Sequence, residues 1–480
     1  MIRTIIVFYF FFTFFICHSQ TNDSVVIRKL FNEALSDHTS YKNLEFLCTR
    51  IGGRICGSPQ AEKAVQWTKE VLDGMDLDTV FLQECKVRYW VRGETEEVIV
   101  NPGKKSSIRL NACAVGGTVG TGEKGITANV IEVYDFEELK KLGKDEIEGK
   151  IVFFNHPANP AVYYTFEAYG GVAKYRVYGA TEAAKYGAIA VVVRSATLAH
   201  DDYPHTGILH YADTIKQIPA MAVSTNDADK LSKQLKQDSG LNLFLRLTST
   251  EQPETMSHNI IGEIRGTEFP EEVIVFGGHL DAWDNGQGAH DDGAGIVQTI
   301  EVLRLFKTLG IKPKRTIRFV AFMDEEMDQR GAKAYAAYAK QMLDNGYLIL
   351  DKNNASSIIQ HPVSAGFESH LAAIEADRGG STPFGFSIDG TDEQLQKIKS
   401  WKDLFYPYGI YSLEKGGSGV DVGKLKPLGT ALIALVTDSQ RYFDYHHSPN
   451  DTFDKVNQRE LQLGSFSIAA LVFLIDKYGL

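Results

Sequence analysis

An apolar run from Val273 ends at His279, Asp281 follows, and the pair Asp291-Asp292 comes twelve positions after the histidine. These are the side chains of a metal site. Three later segments extend the set: Asp324-Glu325-Glu326, Glu375-Ala376-Asp377, and His446-His447-Ser448-Pro449-Asn450-Asp451. Imidazoles mixed with carboxylates form a shell that zinc accepts. Two such ions about 3.5–4 Å apart need a bridging carboxylate, lower the pKa of a shared water from ~15.7 toward ~7, and clamp the tetrahedral intermediate of amide hydrolysis. That chemistry supplies a nucleophile without Ser or Cys, so the chain reads as a hydrolase.

Each motif has a plainer explanation when taken singly. A histidine at a strand end is more often hydrogen-bonded than metal-bound. Asp291-Asp292 reads equally as the cap of a helix starting near Gly293, Glu325-Glu326 as a solvated acidic turn, and His446-His447 as a surface loop. Their coincidence is what counts. His279, Glu325/Glu326 and Asp377 each follow directly on a strand pattern, and sites in open α/β sheets form outside the carboxyl ends of the strands. One glutamate of the pair then binds metal while its neighbour handles protons. Asp281 is expected to fix the His279 tautomer from the outer shell.

The elements that must position these groups have a readable order. Ser58-Pro59 opens a packing helix with apolar positions Ala61, Ala64, Val65, Thr68, Val71 and Leu72. From about Ile126 to Leu247, short apolar strands alternate with helices in the cadence of a small α/β module. A larger set restarts at Asn259, with strands at Thr316–Phe322, Leu371–Glu375 and Leu428–Val436 and helices at Gly295–Leu309 and Gly331–Leu343. This predicts an α/β fold with a mixed, largely parallel sheet covered by helices on both faces, split by an inserted domain. The expected division is 21–121 with 249–480 for the larger domain and 122–248 for the insert.

Composition excludes other classes. The 480 residues are 44% hydrophobic and 23% charged, ordinary for soluble globular protein, with a formal net charge of −11. Without a basic cluster, nucleic acid is not an expected partner. Residues 1–20 carry Arg3 and an apolar run from Ile5 to Cys17, which reads as a secretory signal and implies secretion, or export to a periplasm in a bacterium. The run is shorter than the ~20 residues of a spanning helix, so no stable membrane anchor is expected. Cys48, Cys56, Cys85 and Cys113 allow three disulfide pairings, or free buried thiols.

At these residues the sequence resembles the dizinc aminopeptidase and glutamate carboxypeptidase family. Segments Gly277–Gly295, Asp324–Gly331, Glu375–Gly379 and His446–Thr452 carry the likeness, with agreement outside the site at Trp90-x-Arg92-Gly93-Glu94, Pro204–Ile208 and Pro313–Thr316. The resemblance implies a zinc exopeptidase fold whose insert is a protease-associated domain. It implies that Asp291 bridges two zinc ions, His279 and Asp377 complete one, Glu326 and His447 complete the other, and Glu325 is the general base. His446 stands where relatives place an oxyanion-steadying tyrosine, and Asp421 is placed to receive a substrate ammonium or to cap a helix. Arg378 and the run Met327-Asp328-Gln329-Arg330 depart from the family's pattern. The expected function is a secreted exopeptidase that cleaves dipeptides and short peptides with a hydroxide held by two zinc ions. The resemblance also implies a homodimer. The rival readings are a glutaminyl-cyclase-like acyl transferase and an inactive binding ectodomain.

Overall fold

The computed structural model describes residues 22–352 and 367–480; the apolar run expected to be a secretory signal lies outside them. Eight strands form the larger sheet: β1 (Thr79–Val91), β2 (Thr250–Ile264), β3 (Phe269–His279), β4 (Arg315–Phe322), β5 (Ser369–Glu375), β6 (Pro383–Asp389), β7 (Ser412–Lys415) and β8 (Ala431–Thr437). Their order across the sheet is β1-β2-β4-β3-β5-β8-β6-β7. The central strands β4, β3, β5 and β8 run parallel, β1 and β2 pair antiparallel with their neighbours, and β6 is antiparallel to β8 but parallel to β7, so the fold is mixed α/β.

Both faces of the centre are buried. Val273 and Val275 join a cluster with Val320, Phe322, Tyr335 and Ala339, whereas the alternate residues Ile274 and Phe276 join Phe319, Ile300 and Leu471 on the other face. Period-two alternation of this kind explains why β3 and β4 read as continuous apolar runs. Helix α1 (Pro59–Asp73) begins as expected, with the Ser58 side chain accepting from the Ala61 N–H. Helices α3 (Ala294–Thr308) and α5 (Gln458–Tyr478) cover one face together, and α4 (Arg330–Lys352) lies on the other. Helix α5 is long and apolar enough to cross a bilayer, yet 83% of its apolar window is buried within the protein, as a core helix requires.

A second eight-stranded sheet holds the residues between β1 and β2, in the order 108–110, 96–100, 242–247, 126–133, 151–154, 190–194, 220–223 and 112–114. It has a hydrophobic cluster of its own around Val152, Phe154, Val191 and Val193. Strands from Glu96 onward belong to it, so it takes in residues well before 122. Helix α2 (Thr165–Ala184) packs on it. The four cysteines are buried and unpaired.

Gly277 shows how closely the site-bearing strands approach. A Cβ there would lie 1.9 Å from the Val320 carbonyl oxygen of β4, whereas a Cβ at Gly170 in α2 would meet nothing within 4 Å. Gly277→Ala should therefore destabilise the protein by about 3 kcal/mol through forced strand separation. Gly170→Ala should be neutral or stabilise by roughly 0.5–1 kcal/mol. Urea unfolding midpoints of the two variants check the contrast; equal midpoints would contradict it.

Candidate metal centre

Three adjacent parallel strands deliver their chemistry to one edge. His279 ends β3 opposite Phe322 of β4, and Gly277 sits opposite Glu375 of β5, so the turn after β4 and the segment after β5 leave the sheet beside the imidazole. The His279 Nε2 atom lies 3.2 Å from Asp291 Oδ1 and 3.5 Å from Asp377 Oδ1. On the far side of Asp291, Oδ2 lies 3.2 Å from His447 Nε2, which in turn is 3.1 Å from Glu326 Oε2. Glu325 is half-buried next in the chain, and His446 stacks face to face on His447 at 3.6 Å between ring centroids. His446 Nε2 stands 3.5 Å from Asp291 Oδ2, so both histidines of the pair reach the central carboxylate.

The adjacent aspartates divide the labour. The Asp292 carboxylate turns inward, accepting the N–H of His279 at 3.1 Å and that of Gly295 at 3.1 Å in the first turn of α3. It is the cap, and Asp291 faces the imidazoles. Asp281 acts differently from expectation. The His279 Nδ1 atom bonds to the Asp281 backbone carbonyl at 2.9 Å, while the Asp281 carboxylate accepts three successive N–H groups, those of Asp324, Glu325 and Glu326, at 2.9, 3.2 and 3.3 Å. The side chain fixes the paired-glutamate turn, and the main chain fixes the ring.

Electrostatics follow from this crowding. Burial disfavours charge on His279, but Asp291 and Asp377 outweigh it and hold the ring well above the ordinary imidazole range. Glu326 and Asp291 do the same to His447. Burial and the neighbouring His447 push His446 the other way, so it is neutral. Burial lifts Glu325 well above the usual carboxylate range; His279 opposes the shift and Asp377, Glu326 and Asp421 reinforce it. Asp291 Oδ2 and Glu326 Oε1 have no hydrogen-bond donor although buried. Buried acceptors of this kind require compensation, and a divalent cation among imidazole and carboxylate donors supplies it.

Asp421 is 1% exposed, and neither of its carboxylate oxygens has a partner. It does not cap the short helix that follows it. Glu375 lies beside it and accepts the Val422 N–H at 2.7 Å; a Cβ on Gly419 would fall 1.7 Å from Glu375 Oε1, so this loop closes on the acid only with glycine there.

Several supports escaped sequence reading. Arg54, fully buried, donates to the carbonyls of Leu280, Gln287 and Gly288 at 2.6, 2.9 and 3.1 Å and so shapes the loop that carries Asp291. Asp451 accepts the N–H groups of His290 and Asp291 at 2.8 and 3.1 Å, tying the histidine loop to the central aspartate. His447 has a positive φ of 61°, a conformation that costs a non-glycine residue about 1–3 kcal/mol. Its carbonyl accepts from the Thr206 N–H at 2.8 Å and from Asn285 Nδ2 at 3.2 Å, and its Nδ1 faces the Thr206 carbonyl at 3.3 Å. Arg176 of α2 donates to that same carbonyl at 3.1 Å, and His205 Nδ1 bonds the His446 carbonyl at 2.7 Å. The second sheet therefore holds both histidines from behind. Pro204–Ile208, noticed only for its likeness, was the available signal.

A sheet that gathers imidazoles and carboxylates at its carboxyl edge around one central aspartate defines a metallo-exopeptidase when the comparisons are added. Residues 259–472 match Peptidase family M28. Carboxypeptidase Q of Bos taurus is 32% identical over 446 residues, covering 92% of this chain and 85% of that protein. Carboxypeptidase Q of Xenopus laevis is 34% identical over 417 residues, covering 87% and 81%. Among solved structures, a peptidase M28 precursor from Shewanella amazonensis SB2B aligns with a TM-score of 0.85 at 29% identity over 95% of this chain and 97% of that one. A zinc aminopeptidase from Bacillus subtilis shares the fold, with a TM-score of 0.61 at 20% identity over 90% and 93%. The chain belongs to peptidase family M28.

Arg176 offers a test of the support from the second sheet. Arg176→Met removes a donor from the carbonyl that orients His447 and should weaken zinc binding about 10- to 100-fold, as loss of such outer partners does. Competition against a chromophoric chelator measures it. Unchanged zinc affinity in a folded variant would show that the contact is packing alone.

Proposed function

We propose that this M28 peptidase is a two-zinc exopeptidase that hydrolyses dipeptides and other short peptides having a free amino end. The single observation behind the reading is the position of Asp291, whose two oxygens each lie 3.2 Å from the Nε2 of a different histidine. A carboxylate so placed would be shared by two zinc ions, one held also by His279 and Asp377 and the other by Glu326 and His447. When bound, the two ions supply an acidified water and polarise the scissile carbonyl.

The protein's own groups do the rest. Glu325 takes a proton from the attacking water and returns it to the leaving amine, a role that suits a carboxylate whose proton affinity is raised. His446, neutral against His447, donates to the oxygen on which charge develops. Asp421, buried with both oxygens unpartnered, accepts the substrate's ammonium. Asp281 keeps Glu325 and Glu326 in register with His279. The second sheet serves as the family's protease-associated insertion, with its boundary drawn at about 96–247 rather than 122–248, because the strands at 96–100, 108–110 and 112–114 pair within it. The apolar N-terminal run belongs to this reading as an export signal, placing the enzyme outside the cytoplasm.

Glu325→Gln keeps the shape of the turn while removing the base. It should lower kcat on Ala-Ala about 10²- to 10⁴-fold, with two zinc ions per chain still found by elemental analysis. Retained turnover would remove the base assignment, and one zinc per chain in the folded wild type would remove the bridge.

A further inference from the structure

Arg378 stands at the mouth of the site with donors to spare. It follows Asp377 directly, and its backbone is pinned: Thr437 Oγ1 donates to its carbonyl at 2.5 Å, and two residues on, the Gly380 N–H donates to His290 Nδ1 at 3.1 Å. Its guanidinium carbon lies 5.3 Å from the centre of the Phe166 ring, contributed by α2. One terminal nitrogen donates to the Gly417 carbonyl at 3.3 Å. Among the described residues no carboxylate lies within ion-pair reach of it, and burial lowers its proton affinity below the ordinary arginine range, with Asp377 and Glu375 opposing the shift.

Its situation differs from that of the arginines flanking a separate groove of about 590 Å³. There Arg88 is held by Glu251, and Arg330 by Glu254 and Asp328, leaving little for a ligand. Arg378 is partly desolvated, braced by an aromatic face and a carbonyl, and has most of its five donors free, which is the state of an arginine prepared for a planar anion. The loop it touches at Gly417 continues to Asp421, so a cation and an unpartnered acid bracket one short segment beside Asp377. The Phe166 ring is itself packed against Tyr442 and Phe443.

We propose that Arg378 receives a carboxylate of the substrate, so that the site selects short peptides bearing an anionic group in addition to a free amine. The proposal rests on the exopeptidase reading above. Two sources share this chemistry: the terminal carboxylate of a dipeptide and an acidic side chain.

The test uses the zinc-loaded full chain and three peptides, Ala-Ala, Ala-Ala-amide and Ala-Glu-amide, with wild type, Arg378→Met and Arg378→Lys. Wild type should favour a carboxylate-bearing peptide over Ala-Ala-amide about 10- to 100-fold in kcat/KM, the range of a charge-assisted hydrogen bond. Arg378→Met should bring that ratio to about one, chiefly through KM, and Arg378→Lys should restore part of it. Preference for Ala-Ala alone identifies the terminal carboxylate as the ligand, and preference for Ala-Glu-amide the side chain. A ratio that is the same in wild type and Arg378→Met overturns the proposal while leaving the exopeptidase intact. Failure of wild type to cleave any of the three overturns the underlying reading instead.

Discussion

Asp281 is the constraint on which the site depends. Burial raises the Asp281 carboxyl above its usual range, and His279 together with three successive backbone N–H groups from the turn after β4 opposes that shift. Hydrogen bonds to a charged group contribute about 1.5–3 kcal/mol each in such settings. That energy is used to hold a turn in which Asp324 has a φ of 74°, outside the range most residues favour. Glu325 and Glu326 consequently meet His279 at a fixed distance, although 45 positions or more separate them in the chain. The same residue's carbonyl sets the ring of His279, so one position locks two strands' worth of chemistry together.

The histidine loop is held from a different direction. It belongs to the larger sheet by sequence, but its bonds run to Thr206, His205 and Asn285, and through Thr206 to Arg176. Tyr169 of α2 stacks on Phe443 and meets His446 edge-on, adding apolar contact to these polar straps. A residue held at positive φ persists only where its surroundings over-determine it, and here most of those surroundings come from the second sheet. The second sheet is therefore part of the scaffold that holds the histidine pair.

Residue type and strand pattern made much of this legible. His279, Glu326 and Asp377 could be placed at one edge because each follows an apolar strand, and the mixed α/β architecture followed from the same runs. Residue type alone does not divide Asp291 from Asp292, and only the resemblance singles out Asp291, since two adjacent aspartates before a helix look alike until the chain's turn decides which one faces the amides of α3. The role of the Asp281 side chain went unseen because its partners are backbone groups, which carry no sequence signal. Arg54 and Arg176 were unreadable for a related reason: each bonds to carbonyl oxygens, and a carbonyl looks the same at every position. That the second sheet takes in residues from Glu96 onward carries no local signal, because strands 96–100 and 112–114 pair with partners more than a hundred residues away.

What remains unsatisfied marks where chemistry can occur. Buried polar atoms nearly always find partners, and among the described residues the acids with an unpartnered buried oxygen are Asp291, Glu326, Glu368, Glu375 and Asp421. Glu368 is paired to Arg318 through its other oxygen; the remaining four belong to the site. The backbone supports are complete, whereas the inward-facing carboxylates are left open. A scaffold saturated with hydrogen bonds around a core of unsatisfied acids is stable only if cations, protons or a positively charged ligand complete it. On the two-zinc reading proposed above, zinc meets that demand at Asp291 and Glu326, which the imidazoles of His279 and His447 face. At Asp421 no imidazole faces the open oxygens within hydrogen-bonding reach, and on the same proposed reading a substrate ammonium, which is a donor rather than a Lewis acid, completes them.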